Sequence, residues 1–313
     1  MNRDKAIDLL KFLAVVFVVN SHMDICYPDA YKSLATGGSL GDALFFFCSG
    51  YTLFLGKNLE FLCWYKRRLA RILPSVIVCV LGYSCIYGEG WYTAVGGYWF
   101  VRCIFLYYVV IYFVRRYLSE RMWLAFTCVG VIVCAWWLLF ENPRHSIYGG
   151  GYFMWGHYFI QMMLGAVVGK CRDSIRSMPW FDIPCLIGLI TMYFGLWKFA
   201  MRTIGFEWIQ LVTIPLLSLI IYFFYKIAKS SFSSRLTKGG GYVVMAVGGL
   251  CLEVYLSHRV FLSDSLNHMF PLNIPVLMAA AVVLAYIVRC ISRFMVQTLR
   301  ADESYDFRAI VKL

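Results

Sequence analysis

The chain has 313 residues, of which 61% are hydrophobic and 15% are charged, and its formal net charge is +12. Soluble domains carry about 25% charged residues, and a single soluble core cannot bury so large a surplus of apolar side chains. The composition therefore excludes an ordinary soluble protein and predicts an all-α integral membrane protein.

Apolar stretches of about 20 residues predict about ten transmembrane helices in a single domain that covers residues 1–313. The predicted spans are 9–26, 40–56, 72–88, 98–114, 122–140, 151–169, 182–199, 207–225, 242–262 and 272–291. The first stretch ends in "NSHMDICYP", which has no small-residue cleavage site. It is therefore expected to be a retained helix rather than a cleaved signal peptide.

The distribution of basic residues predicts that both termini are cytoplasmic. With the N-terminus inside, 22 of the 29 Lys and Arg residues fall in segments that face the cytoplasm, where such residues accumulate. This bias explains the positive charge without a nucleic-acid partner. The twelve cysteines contain no CxxC pair, so they are interpreted as small buried hydrophobes, and no metal is expected.

Ionisable residues in the first two spans indicate a candidate proton-transfer pair. A charged residue within a span costs about 2.5–3.5 kcal/mol on insertion scales, so it usually faces a cavity or a partner. Span 1 places Lys11 near the inner end and His22 near the outer end, roughly 16 Å apart at 1.5 Å per residue. Span 2 returns inward and brings Asp42 to the level of His22. A carboxylate can orient a histidine that acts as general base, and Asp24 is a second candidate for that role.

Each of these residues also has a purely structural interpretation. Lys11 could reach the lipid headgroups by snorkelling. His22 could be an interfacial histidine whose hydrogen bonds are satisfied locally. Asp42 could cap the N-terminus of the second span.

Two further spans bring polar residues toward the same outer level. Span 4 begins with Trp99 and Arg102, and span 9 carries Glu253 and His258 in "CLEVYLSHR". These four residues are candidates for substrate binding. Arg102 is expected to be buried enough to need a partner, either the substrate or a structural ion pair.

The predicted inner face carries a basic cluster in "WYKRRLARILP", directly before span 3. Arg68 and Arg71 are about one helical turn apart and share a face, and Arg67 adjoins them. Planar guanidinium groups at this spacing suit a phosphate-bearing ligand, although the positive-inside bias alone also accounts for them. A phosphorylated donor inside and a base outside suit a transfer reaction across the membrane.

Five segments of the sequence, in this order, resemble motifs of the membrane-bound acyltransferase 3 family, the bacterial O-acetyltransferases of surface polysaccharides. They are "IDLLKFLAVVFVVNSHM", "GDALFFFCSGYTLF", "YKRRLARILP", "YWF" at 98–100 and "LEVYLSH" at 252–258. The first has a basic residue, ten residues and a histidine, which is the hallmark of the family. Lys11 stands where the family has arginine; it keeps the charge but loses the bidentate fork.

The resemblance implies acetyl-CoA, or another acyl-CoA, as the donor. It also implies a sugar hydroxyl of a glycan or a lipid-linked precursor as the acceptor, and a multi-pass protein of the cell (inner) membrane in contact with its lipids. The candidate residues are His22, Asp42 and Lys11 for catalysis, Arg67, Arg68 and Arg71 for CoA, and Trp99, Arg102, Glu253 and His258 for the substrate.

Two alternatives remain at this point. A secondary transporter or glycan-precursor flippase would also have many spans and charges that face a cavity. Such proteins often show two related halves, and 1–150 and 151–313 are not similar. The same fold could instead transfer succinyl or another acyl group. Direct transfer, an acyl-enzyme intermediate and the oligomeric state stay open.

Overall fold

The structure of the chain is a computed structural model that describes residues 4–88, 98–149, 151–231, 233, 240–300 and 304–313. Over these residues the chain is helical and has no β-strand. The helices are α1 (Lys5–Ser21), α2 (Gly38–Phe54), α3 (Phe61–Tyr87), α4 (Trp99–Tyr117), α5 (Met122–Phe140), α6 (Phe153–Lys170), α7 (Pro179–Arg202), α8 (Thr213–Lys229), α9 (Gly241–Gly249), α10 (Cys251–Ser257), α11 (Asn273–Thr298) and α12 (Phe307–Val311).

Each predicted span overlaps a helix, but fewer helices than ten have the properties of a membrane span. In the described part of the chain, α3, α5, α7, α8 with the turn before it, and α11 are long and apolar enough. The bent pair of α9 and α10 raises that number from five to six. Helices α1 and α2 have 17 residues each, or about 25 Å, which is short of a hydrocarbon core about 30 Å thick. The count of ten and the orientation of the termini therefore stay predictions.

The long apolar helices expose large hydrophobic side chains. On α5 the exposed residues include Trp123, Leu124, Ile132, Leu139 and Phe140. A continuous exposed apolar surface of this kind is unfavourable in water and suits lipid. Together with the length of these helices, it identifies a multi-pass membrane protein.

The helices form two compact units. The first consists of Met1–Ala14, Asp42–Lys57 and Tyr107–Val244, and the second of Val15–Gly41, Asn58–Leu106 and Met245–Leu313. In the first unit α5 packs on α6, α6 on α8, and α7 on α8. In the second unit α3, α10 and α11 pack on one another, and α12 packs on α11. The single domain over 1–313 stays a prediction.

Close backbone contact between α2 and α6 organises the first unit. Residues 157 to 169 of α6 are all buried. A Cβ atom on Gly50 of α2 would lie 1.8 Å from the Met162 carbonyl oxygen. A Cβ atom on Gly165 of α6 would lie 2.0 Å from the Phe47 carbonyl oxygen. Only glycine fits at these two positions, as at other close helix crossings in membranes.

A buried ion pair organises the second unit around a break in a helix. Helix α9 ends at Gly249, and the following helical segment is bent from it by 62°. The break leaves carbonyl groups without a partner in the helix. Arg289 of α11 donates to the Gly249 carbonyl and pairs with Glu253 of α10, with an N–O distance of 3.0 Å. Ser75 of α3 donates to the same carboxylate at 3.1 Å. One carboxylate thus joins three helices.

The cysteines differ in part from their predicted environment. All twelve are free thiols, and Cys26, Cys48, Cys79 and Cys103 are buried. The prediction of burial is wrong for three others, on α3 and α5, which are exposed: Cys63, Cys85 and Cys128. A thiol behaves as a small hydrophobe, so it is also suited to a helix surface that faces lipid.

We expect Gly165→Ala and Gly50→Ala each to lower the free energy of unfolding by about 2 kcal/mol or more, because the added methyl group meets a backbone carbonyl that has no room to move. Unfolding of the purified protein by sodium dodecyl sulfate in mixed micelles measures the change. Gly188→Ala is the matched control, since nothing lies within 4 Å of its Cβ position. Equal stability of the Gly165 and Gly188 variants would contradict the close crossing.

We expect Arg289→Met to lower the free energy of unfolding by about 3 kcal/mol, because it leaves the Glu253 carboxyl buried without its cation. The double variant Arg289→Met/Glu253→Leu should recover most of that loss in the same unfolding assay. Lys32→Met is the control, because Lys32 pairs with Asp29 on the surface, where solvent screening leaves an ion pair little effect on stability. A double variant no more stable than the single one would show that the pair does not hold the break.

Candidate functional site

Two histidine rings lie in contact in the second unit. His22 directly follows the last residue of α1, and its backbone N–H donates to the Val19 carbonyl at 3.1 Å. His258 begins the 3-10 turn His258–Phe261 that follows α10. The two ring centroids are 5.1 Å apart, with 34° between the ring planes. His258 is 2% exposed, whereas His22 is half-buried and therefore the more accessible of the two.

The backbone fixes the protonation pattern of the His258 ring. Its Nδ1 lies 3.1 Å from the Val254 carbonyl oxygen and 2.9 Å from the Tyr255 carbonyl oxygen. A carbonyl oxygen only accepts hydrogen bonds, so Nδ1 carries a proton. In the neutral ring, Nε2 is then the acceptor. That atom is buried and has no hydrogen-bond partner in the part of the chain that the structure describes.

The segment that carries His258 is held by the start of α4. The Tyr98 hydroxyl donates to the Leu256 carbonyl at 3.1 Å, and the Phe100 ring packs on Tyr255 with 5.0 Å between centroids. The "YWF" and "LEVYLSH" motifs are therefore in direct contact. Trp99 lies between the two anchoring residues and is half-buried.

The segment on either side of His22 is also fixed by side-chain amides. Asn20 Nδ2 donates to the Leu34 carbonyl at 2.7 Å. Asn273, the first residue of α11, donates to the Cys26 carbonyl at 2.7 Å. The sequence interpretation did not include either asparagine. An amide inside an apolar run was the signal available for Asn20, and nothing in the sequence pointed to Asn273.

Two charged residues lie near the His22 ring. Arg259 and Asp24 both interact electrostatically with it, and both side chains are exposed. Asp24 was predicted as the second candidate carboxylate for His22. No hydrogen bond to a ring nitrogen of His22 is present among the described residues of its unit. A catalytic role for Asp24 stays a prediction.

Asp42 and Lys11 belong to the first unit. Helix α2 begins at Gly38, so Asp42 is its fifth residue and does not cap it. The capping interpretation is therefore wrong. The Oδ1 atom of Asp42 is buried and has no hydrogen-bond partner within the described residues. Lys11 is half-buried on α1. The roles of both residues beside His22 stay predictions.

The basic cluster lies within α3 rather than before it. The helix begins at Phe61, because Lys and Arg are good helix formers and continue the apolar segment by several turns toward its N-terminus. Arg67 and Arg71 are exposed, and the Arg68 guanidinium lies 5.1 Å above the Trp64 ring. With 27 residues, α3 is about 40 Å long, which exceeds the thickness of a hydrocarbon core. The arginines therefore have room to lie in the headgroup region.

Helix α3 carries the basic cluster toward one end and contacts the segment around His258 toward the other. Tyr83, toward the other end of α3, contacts the ring of Tyr98, which bonds the Leu256 carbonyl two residues before His258. Twelve residues separate Arg71 from Tyr83, or about 18 Å along a helix. The basic end and the histidine end of this unit are thus separated by more than half the thickness of a bilayer core.

Two of the predicted substrate-binding residues have environments that the sequence did not indicate. The Glu253 carboxylate is occupied by Arg289 and Ser75, which gives it a structural role. Arg102 is exposed on α4, so the expectation of a buried arginine is wrong. Leu106 and Val110 of α4 are also exposed, and residues four apart share a helix face, so Arg102 lies on the exposed face of this helix. Substrate binding by Trp99, Arg102, Glu253 and His258 stays a prediction.

Comparison with known proteins identifies the family. A family model described as an acyltransferase domain, acyltransferase 3, matches residues 4–291. No curated protein and no solved structure matches the chain. The matched region contains every candidate site residue and covers most of the 313 residues. The chain therefore belongs to the acyltransferase 3 family and is a membrane acyltransferase.

Proposed function

We propose that this protein transfers an acetyl group from cytoplasmic acetyl-CoA to a hydroxyl of a cell-surface glycan or a lipid-linked sugar, in the cell (inner) membrane. The observation that carries the proposal is the acyltransferase match over residues 4–291. The accessible His22 ring within that region supplies a candidate proton acceptor. The positive-inside bias and the exposed apolar helices support a location in the inner membrane.

His22 is the general base of the proposed reaction. Its ring takes the proton of the acceptor hydroxyl while the oxygen attacks the thioester carbonyl carbon. The new C–O bond forms and the C–S bond breaks, and the CoA thiolate then receives the proton that His22 holds. Asp42 is the proposed carboxylate that stabilises the imidazolium. Lys11, near the inner end of α1, is the third residue that we propose for catalysis. An exposed guanidinium at Arg102, or a backbone N–H, would stabilise the oxyanion.

The basic cluster on α3 is the proposed binding site for the CoA phosphates. Guanidinium groups bind phosphate through paired hydrogen bonds, and Arg67, Arg68 and Arg71 present three of them at one end of α3. An acyl-CoA carries its thioester at the end of a long flexible arm. Such a donor suits a separation of about 18 Å between the phosphate-binding end of α3 and the histidine end.

The acceptor is proposed to enter beside Trp99 and Arg102. An indole ring can pack on the apolar face of a sugar, and an exposed guanidinium can bind hydroxyl or acidic groups. His258 and Glu253 belong to the segment that contacts the start of α4, but both are buried. We therefore propose that these two residues stabilise the segment beside the acceptor site and do not contact the acceptor themselves.

We expect His22→Ala to reduce transfer of labelled acetyl by about a hundredfold or more, because the attacking hydroxyl loses its base. Membranes that contain the protein are given acetyl-CoA labelled in the acetyl group, and label is followed into the glycan fraction of the producing cells. His145→Ala is the control, since His145 is exposed in a loop. Wild-type activity in the His22 variant would show that His22 is not the base. No incorporation by the wild type would favour another acyl donor or the transporter alternative.

We expect Arg68→Ala and Arg71→Ala each to raise the KM for acetyl-CoA about tenfold with a smaller change in kcat, because a charge-assisted phosphate contact contributes about 1.5–3 kcal/mol. Arg176→Ala removes an exposed positive charge from the segment between α6 and α7, and it should leave KM unchanged. An equal rise in KM for all three variants would indicate general charge attraction instead of a binding site on α3.

A further inference from the structure

The buried Nε2 atom of His258 requires a partner. A buried polar atom without a hydrogen bond has lost its hydration without compensation, so native proteins rarely leave one unsatisfied. Because Nδ1 donates to two backbone carbonyls, the neutral ring presents only an acceptor at Nε2. The missing partner is therefore a donor.

The ring of His22 is positioned to supply that donor. The two centroids are 5.1 Å apart, and a ring nitrogen lies roughly 1 Å from its centroid, so facing nitrogens would be roughly 3 Å apart, within hydrogen-bond range. Among the described residues of its unit, no hydrogen bond holds the His22 ring in another orientation. His258, in contrast, is held by hydrogen bonds to Val254 and Tyr255, so the rotation that closes the contact belongs to His22.

We propose that His258 is a positioning residue for His22, and that its Nε2 accepts the N–H of the His22 ring. A neutral imidazole has one N–H and one lone pair. With its N–H directed to His258, the other nitrogen of His22 presents its lone pair on the more accessible side of the pair. The backbone carbonyls of Val254 and Tyr255 thus select the tautomer of His258, and His258 selects the tautomer of His22. This inference rests on the proposed role of His22 as general base.

The difference in burial assigns the two roles. His258 is almost completely buried, so an acceptor hydroxyl cannot reach it without displacing the structure around it. His22 is half-buried, so one side of its ring remains accessible. His22 therefore contacts the substrate and His258 acts through His22.

Two substitutions of His258 separate this role from a structural one. Asparagine places an amide N–H near the position of Nδ1, which keeps the bond to the carbonyls and removes Nε2. Glutamine places an amide oxygen near the position of Nε2, which keeps an acceptor for His22 and removes the Nδ1 donor. We expect kcat for labelled acetyl transfer to fall roughly tenfold or more in His258→Asn, and less in His258→Gln, with the KM for acetyl-CoA unchanged in both. A purely structural role predicts the opposite order.

A spectroscopic readout tests the contact without any substrate. The chain has five histidines, so the imidazole nitrogen signals of the ¹⁵N-histidine-labelled protein in lipid can be assigned by single substitutions. We expect one tautomer for His22 in the wild type and a mixture of tautomers in His258→Asn. His268→Asn is the matched control, because His268 Nδ1 also lies near a backbone carbonyl, that of Ser265 at 3.1 Å, but on an exposed turn.

The outcomes distinguish the inference from the proposed function. Unchanged His22 signals in His258→Asn, or higher activity in the asparagine variant than in the glutamine variant, would overturn the positioning role. Full activity of His22→Ala would overturn the base assignment, and the nitrogen signals would still decide whether the two rings share a proton.

Discussion

The ion pair between Glu253 and Arg289 is the interaction on which the second unit depends. Its carboxylate and guanidinium are 5% and 15% exposed, so both charges are largely removed from solvent. Neither would be stable there alone, because an unpaired buried charge costs several kcal/mol. Pairing also satisfies the carbonyl that the break at Gly249 leaves free. The pair thus permits a sharp bend in an apolar segment, and the bend directs α10 and His258 toward the turn that carries His22.

A broken membrane helix is also a feature of secondary transporters, where the freed backbone groups bind substrate or ions. Here the freed carbonyl of Gly249 is bonded to Arg289, and the adjacent carboxylate is bonded to Arg289 and Ser75. Groups that are satisfied by the protein are not available to coordinate a transported ion. The break therefore has a structural explanation, and it does not favour the transporter alternative over the acyltransferase family to which the chain belongs.

Features that repeat along one helix were predictable from the sequence, and contacts between distant helices were not. Each apolar stretch predicted as a span overlaps a helix of the structure, because hydrophobicity is a local property. The glycine contact of α6 had a partial signal, since Gly165 and Gly169 have the spacing typical of close helix crossings. Nothing local indicated that Glu253 would meet Arg289, and the sequence therefore assigned Glu253 to the substrate. The start of α3 was misplaced because basic residues were interpreted as a loop signal although they are also good helix formers.

The contact between His22 and His258 bears on how a proton acceptor can be oriented inside an apolar bundle. A carboxylate holds an imidazole strongly, but burying its charge is costly without a cation. A neutral imidazole whose own tautomer is fixed by backbone carbonyls is cheaper to bury and still offers a directional acceptor. It stabilises an imidazolium less than a carboxylate does, so in the proposed mechanism a proton taken up by His22 would be retained less firmly. In an acyl transfer that proton is needed again at once by the departing thiolate, and weak retention then favours turnover.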